Sequence, residues 1–385
     1  MHRSVLIAAA AGSTLVVSAS GGSRRAAAST SIRPTTSPSS IATRSSSALL
    51  PRLHTISTVA STVPGNGDVN PYGVVVVRNS KGKLHAGQLL VSNFNDKSNS
   101  QGTGTTIVEI SPSGHRSVFA HLRAGHLPGR CPGGVGLTTA LDILPGGYVV
   151  VGSLPTADGM SATAKAGCLI VFNDRGHPVS TIAGRHVQGP WDSTVVSHGS
   201  VSTLFVSMVL NGGAKSGQRV VDNSTVVRFR LKSSPGRAPQ VLSQTVVADK
   251  IPRRDDPSAL VIGPTGLGVS STGTLYVADT LDNRIAAVRH ALTRGTPATD
   301  AGRTVSQGGH LEQPLGLALA PNGDILTTNA GDGNIVETTP GGGQVAVTTA
   351  ESETGAGSLF GLVVAPSGKR VFYVDDGDNT LKVLH

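Results

Sequence analysis

The chain has 385 residues, among them 49 Gly and 22 Pro, with 3% aromatic and 14% charged residues and a formal net charge of +9. That length allows one large or two ordinary domains, and a surplus of Gly, Val, Thr and Ser over Glu, Lys and Leu favours short strands and turns over helices. The basic residues are scattered, with no Lys/Arg run interleaved with aromatics, which argues against a nucleic-acid partner.

The N-terminus comes first. "MHR" is a short positive start, "SVLIAAAAGSTLVV" is an apolar run of signal length, and "SAS" before Gly21 offers small residues for cleavage. Residues 1–20 therefore read as an export signal, and no other stretch reads as a membrane span. Residues 21–50 are rich in Ser, Thr, Ala, Arg and Pro. Such a composition buries too little apolar surface to order itself, so it predicts a flexible leader. The expected location is secreted, periplasmic or on the cell surface. Two cysteines, Cys131 and Cys168, are an even count in an exported chain and permit one disulfide.

After the leader, "LHTISTVAS" from Leu53 alternates apolar and polar residues as a lone strand. Repeats follow. Three segments, "GPTGLGVSSTGTLYVADTLDNRIAAV" from Gly263, "QPLGLALAPNGDILTTNAGDGNIVET" from Gln313 and "SLFGLVVAPSGKRVFYVDDGDNTLKVL" from Ser358, share one order. Each has a Gly-Leu, a short apolar strand, a Gly turn, a second strand ending at Asp or Asn, a polar turn with Asn, and a third strand. Looser copies begin near Asn70, Leu137 and Gly189. The matching positions are Gly73, Ala140, Asp192, Gly266, Gly316 and Gly361, six copies at spacings of roughly 45 to 75 residues. The last copy stops at its third strand, and "LHTISTVAS" can supply the fourth. These features predict an all-β, six-bladed β-propeller over 51–385, with four-stranded antiparallel blades and a ring closed by an N-terminal strand joining the last blade. The chain is expected to be a monomer. Asp282, Asn283 and Arg284, in the polar turn of the fourth copy, are expected to serve the fold.

The stretch "GLGVSSTGTLYVADTLDNRIAAV" resembles an NHL repeat, and the six-fold set resembles NHL-type propellers and, more distantly, gluconolactonase and strictosidine-synthase-like propellers. The resemblance covers most of the chain after the leader. It implies architecture more than activity, because such propellers include lactonases, lyases and binding modules. In gluconolactonase-like propellers it implies a divalent ion, usually calcium. The ligands there are an Asn before the inner Gly-Leu, an Asp ending the second strand and a Glu from the first blade. Here Asp279 and Asp375 match the Asp, Thr265 stands at the Asn position, and the Glu has no counterpart. The residues ending the second strands are Asn93, Ser153, Ser207, Asp279, Asn329 and Asp375. Of these, Asn93, Asp279, Asn329 and Asp375 are the candidate metal ligands.

A second set of positions precedes the inner-strand Gly: Tyr72, Thr139, Trp191, Thr265, Leu315 and Phe360. Three aromatics at one equivalent position predict convergence at the channel mouth, either as a plug or as a platform for a sugar, an apolar molecule or a cation. The candidate ligand-binding residues are Tyr72, Thr139, Trp191, Thr265 and Phe360. Insertions at 95–104, 123–136, 156–167 and 211–223 are expected to build a wall that a Cys131–Cys168 bridge would tie down. The chain therefore reads as a secreted binding module. It would meet a protein, glycan or small molecule at the channel mouth or the insertion face. The rival reading is an extracellular metal-dependent hydrolase or lyase of the gluconolactonase-like type.

Overall fold

The computed structural model describes residues 47–123, 125–214, 217–352 and 357–385. The expected signal (1–20), and the expected leader as far as residue 46, lie outside them. The folded unit begins at Ala48 rather than at residue 51. Leu49 and Leu50, assigned above to the leader, are buried. Their N–H groups each donate at 2.7 Å to one oxygen of Glu337, and their side chains join a core cluster with Leu326, Ile335 and Tyr373.

Six sheets follow the predicted repeat, antiparallel apart from a short parallel pairing of Ala298–Thr299 with the third blade's outer strand. The fourth blade shows the pattern: Pro264–Val269 innermost, then Leu275–Asp279, Arg284–Val288 and Arg303–Gln307. The other blades span 69–121, 137–182, 190–256, 314–349 and 359–384. In the last, the fourth strand is Ile56–Ser61, which pairs antiparallel with Thr380–Leu384 from Ile56↔Leu384 to Ser61↔Thr380. This is the predicted closure, and it pairs the edge that the last blade would otherwise expose. The third blade carries a long outer hairpin, Val221–Ser234 and Arg237–Asp256.

The turns explain the conserved spacing of the copies. Asn283 and Asn379 adopt left-handed backbone, with φ of 49° and 57°, which Asn tolerates better than most residues. Their Oδ1 atoms accept the N–H of Gln313 and of Asn70, both at 2.7 Å, so each turn holds the segment that leads into the next blade. The structural reading of Asn283 is thus observed.

Every inner strand carries a β-bulge at the same level, seen as a register shift between Pro71 and Gly73, Leu137 and Leu141, Pro190 and Ser193, Pro264 and Leu267, Pro314 and Leu317, and Leu359 and Leu362. At these bulges neighbouring blades nearly touch. A Cβ on Gly316 would stand 2.3 Å from the Phe360 carbonyl oxygen, and one on Gly266 2.4 Å from that of Leu315. Hydroxyls link the blades there. The Gly316 N–H donates to Thr328 Oγ1 (2.9 Å), which donates to the Phe360 carbonyl (2.7 Å). The Gly73 N–H reaches Ser92 Oγ (3.1 Å), which donates to Thr138 O (2.8 Å). The Asp192 N–H reaches Ser207 Oγ (3.0 Å), which donates to Thr265 O (3.1 Å).

Cys131 and Cys168 are bonded, with Cα atoms 5.2 Å apart. The bridge ties the segment entering the second blade to that blade's third strand, Cys168–Phe172.

Two measurements check this construction. Gly316→Ala forces a methyl against a backbone carbonyl, so it is expected to lower unfolding stability by about 1–3 kcal/mol; an unchanged denaturation midpoint would mean the blades can part there. Reducing the disulfide is expected to cost about 2–4 kcal/mol in the same assay, and Cys131→Ser should show the same loss with no further effect of reductant.

Candidate functional site

Inner strands start, second strands end and third strands start at one end of the ring. The predicted aromatics converge there. Tyr72 stacks on Phe360 (ring centroids 3.9 Å) and on Phe94 (4.6 Å), and Trp191 meets Tyr72 and Phe94 edge-on at 5.7 and 5.6 Å. All four are buried in one cluster with Leu154, Leu210 and Val261. Thr139 Oγ1 donates to the Trp191 carbonyl (2.5 Å) and Thr265 Oγ1 to that of Leu315 (2.8 Å), so both threonines link blades. The rings form a plug. The insertions at 95–104, 156–167 and 211–223 join second to third strands, and 123–136 enters an inner strand, so all four belong to this face. They interlock: the Thr156 N–H donates to Gly102 O (3.0 Å) and the Gly167 N–H to Pro132 O (3.1 Å).

The second-strand termini have other work. Asn93 Nδ2 donates to Thr62 O (3.1 Å), Asn329 Nδ2 to His310 O (2.6 Å), and Ser153 Oγ to Gly134 O (3.0 Å). Each thereby holds the linker that leads into its own blade. Asp279 and Asp375 instead take cations from their third strands. Asp279 Oδ2 accepts from Arg284 at 2.6 and 3.1 Å, and Asp375 Oδ2 from Lys382 at 2.6 Å. Met208, not Ser207, pairs opposite Pro190 and so holds the equivalent position in the third blade. Among the described residues the acids that gather are Asp279, Asp282 and Asp300, and Arg284 also binds Asp300 at 2.7 Å. A calcium ion needs several free oxygens. Asp279 and Asp375 each face a cation of their own blade, which weighs against a shared ion, while the Oδ1 atoms of Asn93, Asp279 and Asn329 are buried without a hydrogen-bond partner.

The opposite end is open. A chamber of about 790 Å³ lies between all six inner strands, within the size range of small-molecule sites. Register identifies its wall level by level. One level is Val74, Leu141, Ser193, Leu267, Leu317 and Leu362, five aliphatic residues and one serine. The bulge level below is Gly73, Ala140, Asp192, Gly266, Gly316 and Gly361, five small residues and one acid. The level above is Val75, Asp142, Thr194, Gly268, Ala318 and Val363. Polarity thus falls on one wall, built by the second and third blades. Ser193 Oγ donates to Asp142 Oδ2 (2.6 Å), and Ser193 N–H to Asp192 Oδ1 (2.7 Å). At the mouth, the 77–88 loop brings exposed Arg78 and Lys81 to the rim. It is latched by Glu109, which accepts the His85 N–H at 2.7 Å and meets its Nδ1 at 2.8 Å.

Both wall carboxyls titrate far above the ordinary range. Burial lifts Asp142 to about 7, against the Ser193 hydroxyl, which pulls it down. Burial lifts Asp192 to about 8, helped by the Asp142 charge and opposed by the N–H groups of Ser193 and Leu267. Asp142 and Asp192 are not among the sequence-predicted site residues. The signal was present at Asp192, where an acid replaces the repeat's small residue. Asp142 shows only as an acid in the apolar run "ALDIL".

These observations define the class: an all-β, six-bladed propeller whose channel is plugged at one end and holds a blind, acid-bearing chamber at the other. No protein-family model matches the chain, and no curated protein matches it. Among solved structures it is similar to a gluconolactonase from Xanthomonas campestris, at 14% identity and a TM-score of 0.51 over 86% of this chain and 88% of that one. It is likewise similar to regucalcin, a calcium-binding protein from Agrobacterium tumefaciens, at 13% identity and a TM-score of 0.51 over 85% and 93%. At such identities the likeness is one of fold.

The raised carboxyls make stability depend on pH. Asp376, on the plug face, is lifted to about 7 by burial and by the Asp375 charge. With folded pKa values above the unfolded one, their contribution is full at pH below about 4 and is lost as pH rises through 7 and 8. The melting temperature is therefore expected to fall between mildly acidic and mildly basic pH. Asp142→Asn or Asp192→Asn should flatten that slope, as a pH series of thermal scans would show.

Proposed function

We propose that this chain is an extracytoplasmic binding propeller that takes a small molecule into its channel chamber through the open end. The observation that carries this reading is the break of six-fold repetition at three successive levels on one wall. Four blades give only aliphatic or small residues there, and Asp142, Asp192, Ser193 and Thr194 cluster where the second and third blades meet. Packing alone does not call for a carboxylate where four blades place glycine. The disulfide favours an oxidising compartment, in keeping with the export-like N-terminus. The ligand position expected from Tyr72, Trp191 and Phe360 moves to the other end of the channel, because those rings fill their own end.

A metal-dependent hydrolase or lyase finds less support. Its expected ligands, Asp279 and Asp375, are neutralised by Arg284 and Lys382. The likeness to a gluconolactonase and to a calcium-binding protein concerns the fold.

Ligand-observed NMR with a fragment library tests the reading. Fragments should bind the wild type and bind more weakly in Val363→Trp, which places an indole in the chamber. Binding that this substitution leaves unaltered, or no binding at all, would refute it. Thermal scans with calcium separate the rival: a calcium-dependent rise in melting temperature, abolished by Asp279→Ala, would favour the metalloenzyme.

A further inference from the structure

Given a chamber ligand, the wall chemistry restricts its class. We infer that the chamber selects a small aliphatic amine, its ammonium held by Asp142 and Asp192 and its hydrocarbon body lying against Leu267, Leu317 and Leu362. The inference rests on the binding reading above and adds the charge and shape of the ligand.

The first support is an unanswered charge. Among the described residues the acids with a basic partner are Glu109, Asp255, Asp256, Asp279, Asp300, Glu351, Asp375 and Asp378, and no ion pair reaches Asp142 or Asp192. Their partners are neutral: the Ser193 hydroxyl and N–H and the Leu267 N–H. The charged groups nearest the mouth, Arg78 and Lys81, are exposed on the rim loop. Asp142 is buried and Asp192 half-buried; carboxylates so shielded without a cation are costly, and a cationic ligand supplies what the chain withholds.

The second support is the rest of the wall. Val74, Leu141, Leu267, Leu317 and Leu362 form one aliphatic level, with the small Gly268 and Ala318 beside it. The aromatic rings pack on one another in the plug instead. An aliphatic body suits this lining, and burying it supplies affinity while the acids fix orientation. The open volume also exceeds what a bare metal ion requires.

Because both carboxyls are held partly protonated near neutrality, an ammonium must bind with loss of protons from the site. Affinity is therefore expected to rise with pH, until the amine itself loses its charge.

The test titrates the full protein with cyclohexylamine and with cyclohexanol, by calorimetry, at about pH 6 and about pH 9. The expected result is cyclohexylamine binding that tightens by about tenfold or more across that interval. Cyclohexanol should show no such dependence. Asp142→Asn and Asp192→Asn should each abolish the preference for the amine. Should either variant fail to fold, the wild-type pH comparison decides. If cyclohexanol binds as tightly as the amine at both pH values, the amine inference falls and the chamber reading stands. If neither compound binds, and the fragment library also finds nothing whose binding Val363→Trp weakens, both fall.

Discussion

The ring stands on the close approach of neighbouring blades at the inner-strand bulges. Each bulge turns a peptide N–H out of the ladder, and a buried donor without a partner is costly. In three blades a hydroxyl from the second strand accepts that N–H and donates its own O–H to a carbonyl of the next blade. The approach is too tight for a Cβ wherever Gly faces the neighbouring backbone, as at Gly266 and Gly316. A single device thus satisfies the bulge, sets the spacing between blades and fixes the width of the channel.

That width determines what each end can hold. On one side of the bulge level, Tyr72, Trp191 and Phe360 reach inward with Phe94 and leave no room. On the other side the lining is Val, Leu, Ala and Gly, too short to meet across the axis, and a chamber remains. The insertions reinforce this asymmetry by covering the plugged face. Blade-to-blade packing on a rigid ring gives the chamber walls fixed positions, as a preorganised site requires.

Much of this was legible in the sequence. The repeated Gly-Leu, the Asn in the third turn and the missing fourth strand of the last copy carry the fold, because each corresponds to a local backbone demand. Convergence of the aromatics was legible for the same reason: equivalent positions in a closed ring must face one another. Their burial as a plug was one of two readings, and the repeat alone could not choose it over a platform, since Phe94, Leu154 and Leu210 come from other strand positions and complete the plug. Register was the weak link where bulges intervene. One residue separates Met208 from Ser207, and that residue decides between capping a strand and bridging two blades. Asp192 stood in plain view among the matched repeat positions. Its meaning depends on knowing that four of the other five are glycines under steric demand. Asp142 gives no pattern of its own, and its neighbour across the blade boundary, Ser193, lies 51 positions away.

The buried acids sort by what answers them. Glu109 and Glu337, at equivalent places in the first and fifth blades, accept pairs of contacts from a loop and from the N-terminal segment. Asp279 and Asp375 face Arg284 and Lys382. In each case the chain supplies donors or a cation to the carboxylate, although Asp279 Oδ1 is buried without a hydrogen-bond partner. At Asp142 and Asp192 it supplies only a hydroxyl and two peptide N–H groups, in a cavity where water and solutes enter. Buried Asp68 is also answered only by neutral donors, so what sets Asp142 and Asp192 apart is the open chamber they line. The contrast within one molecule, under one repeated geometry, is what separates a functional wall from a structural one.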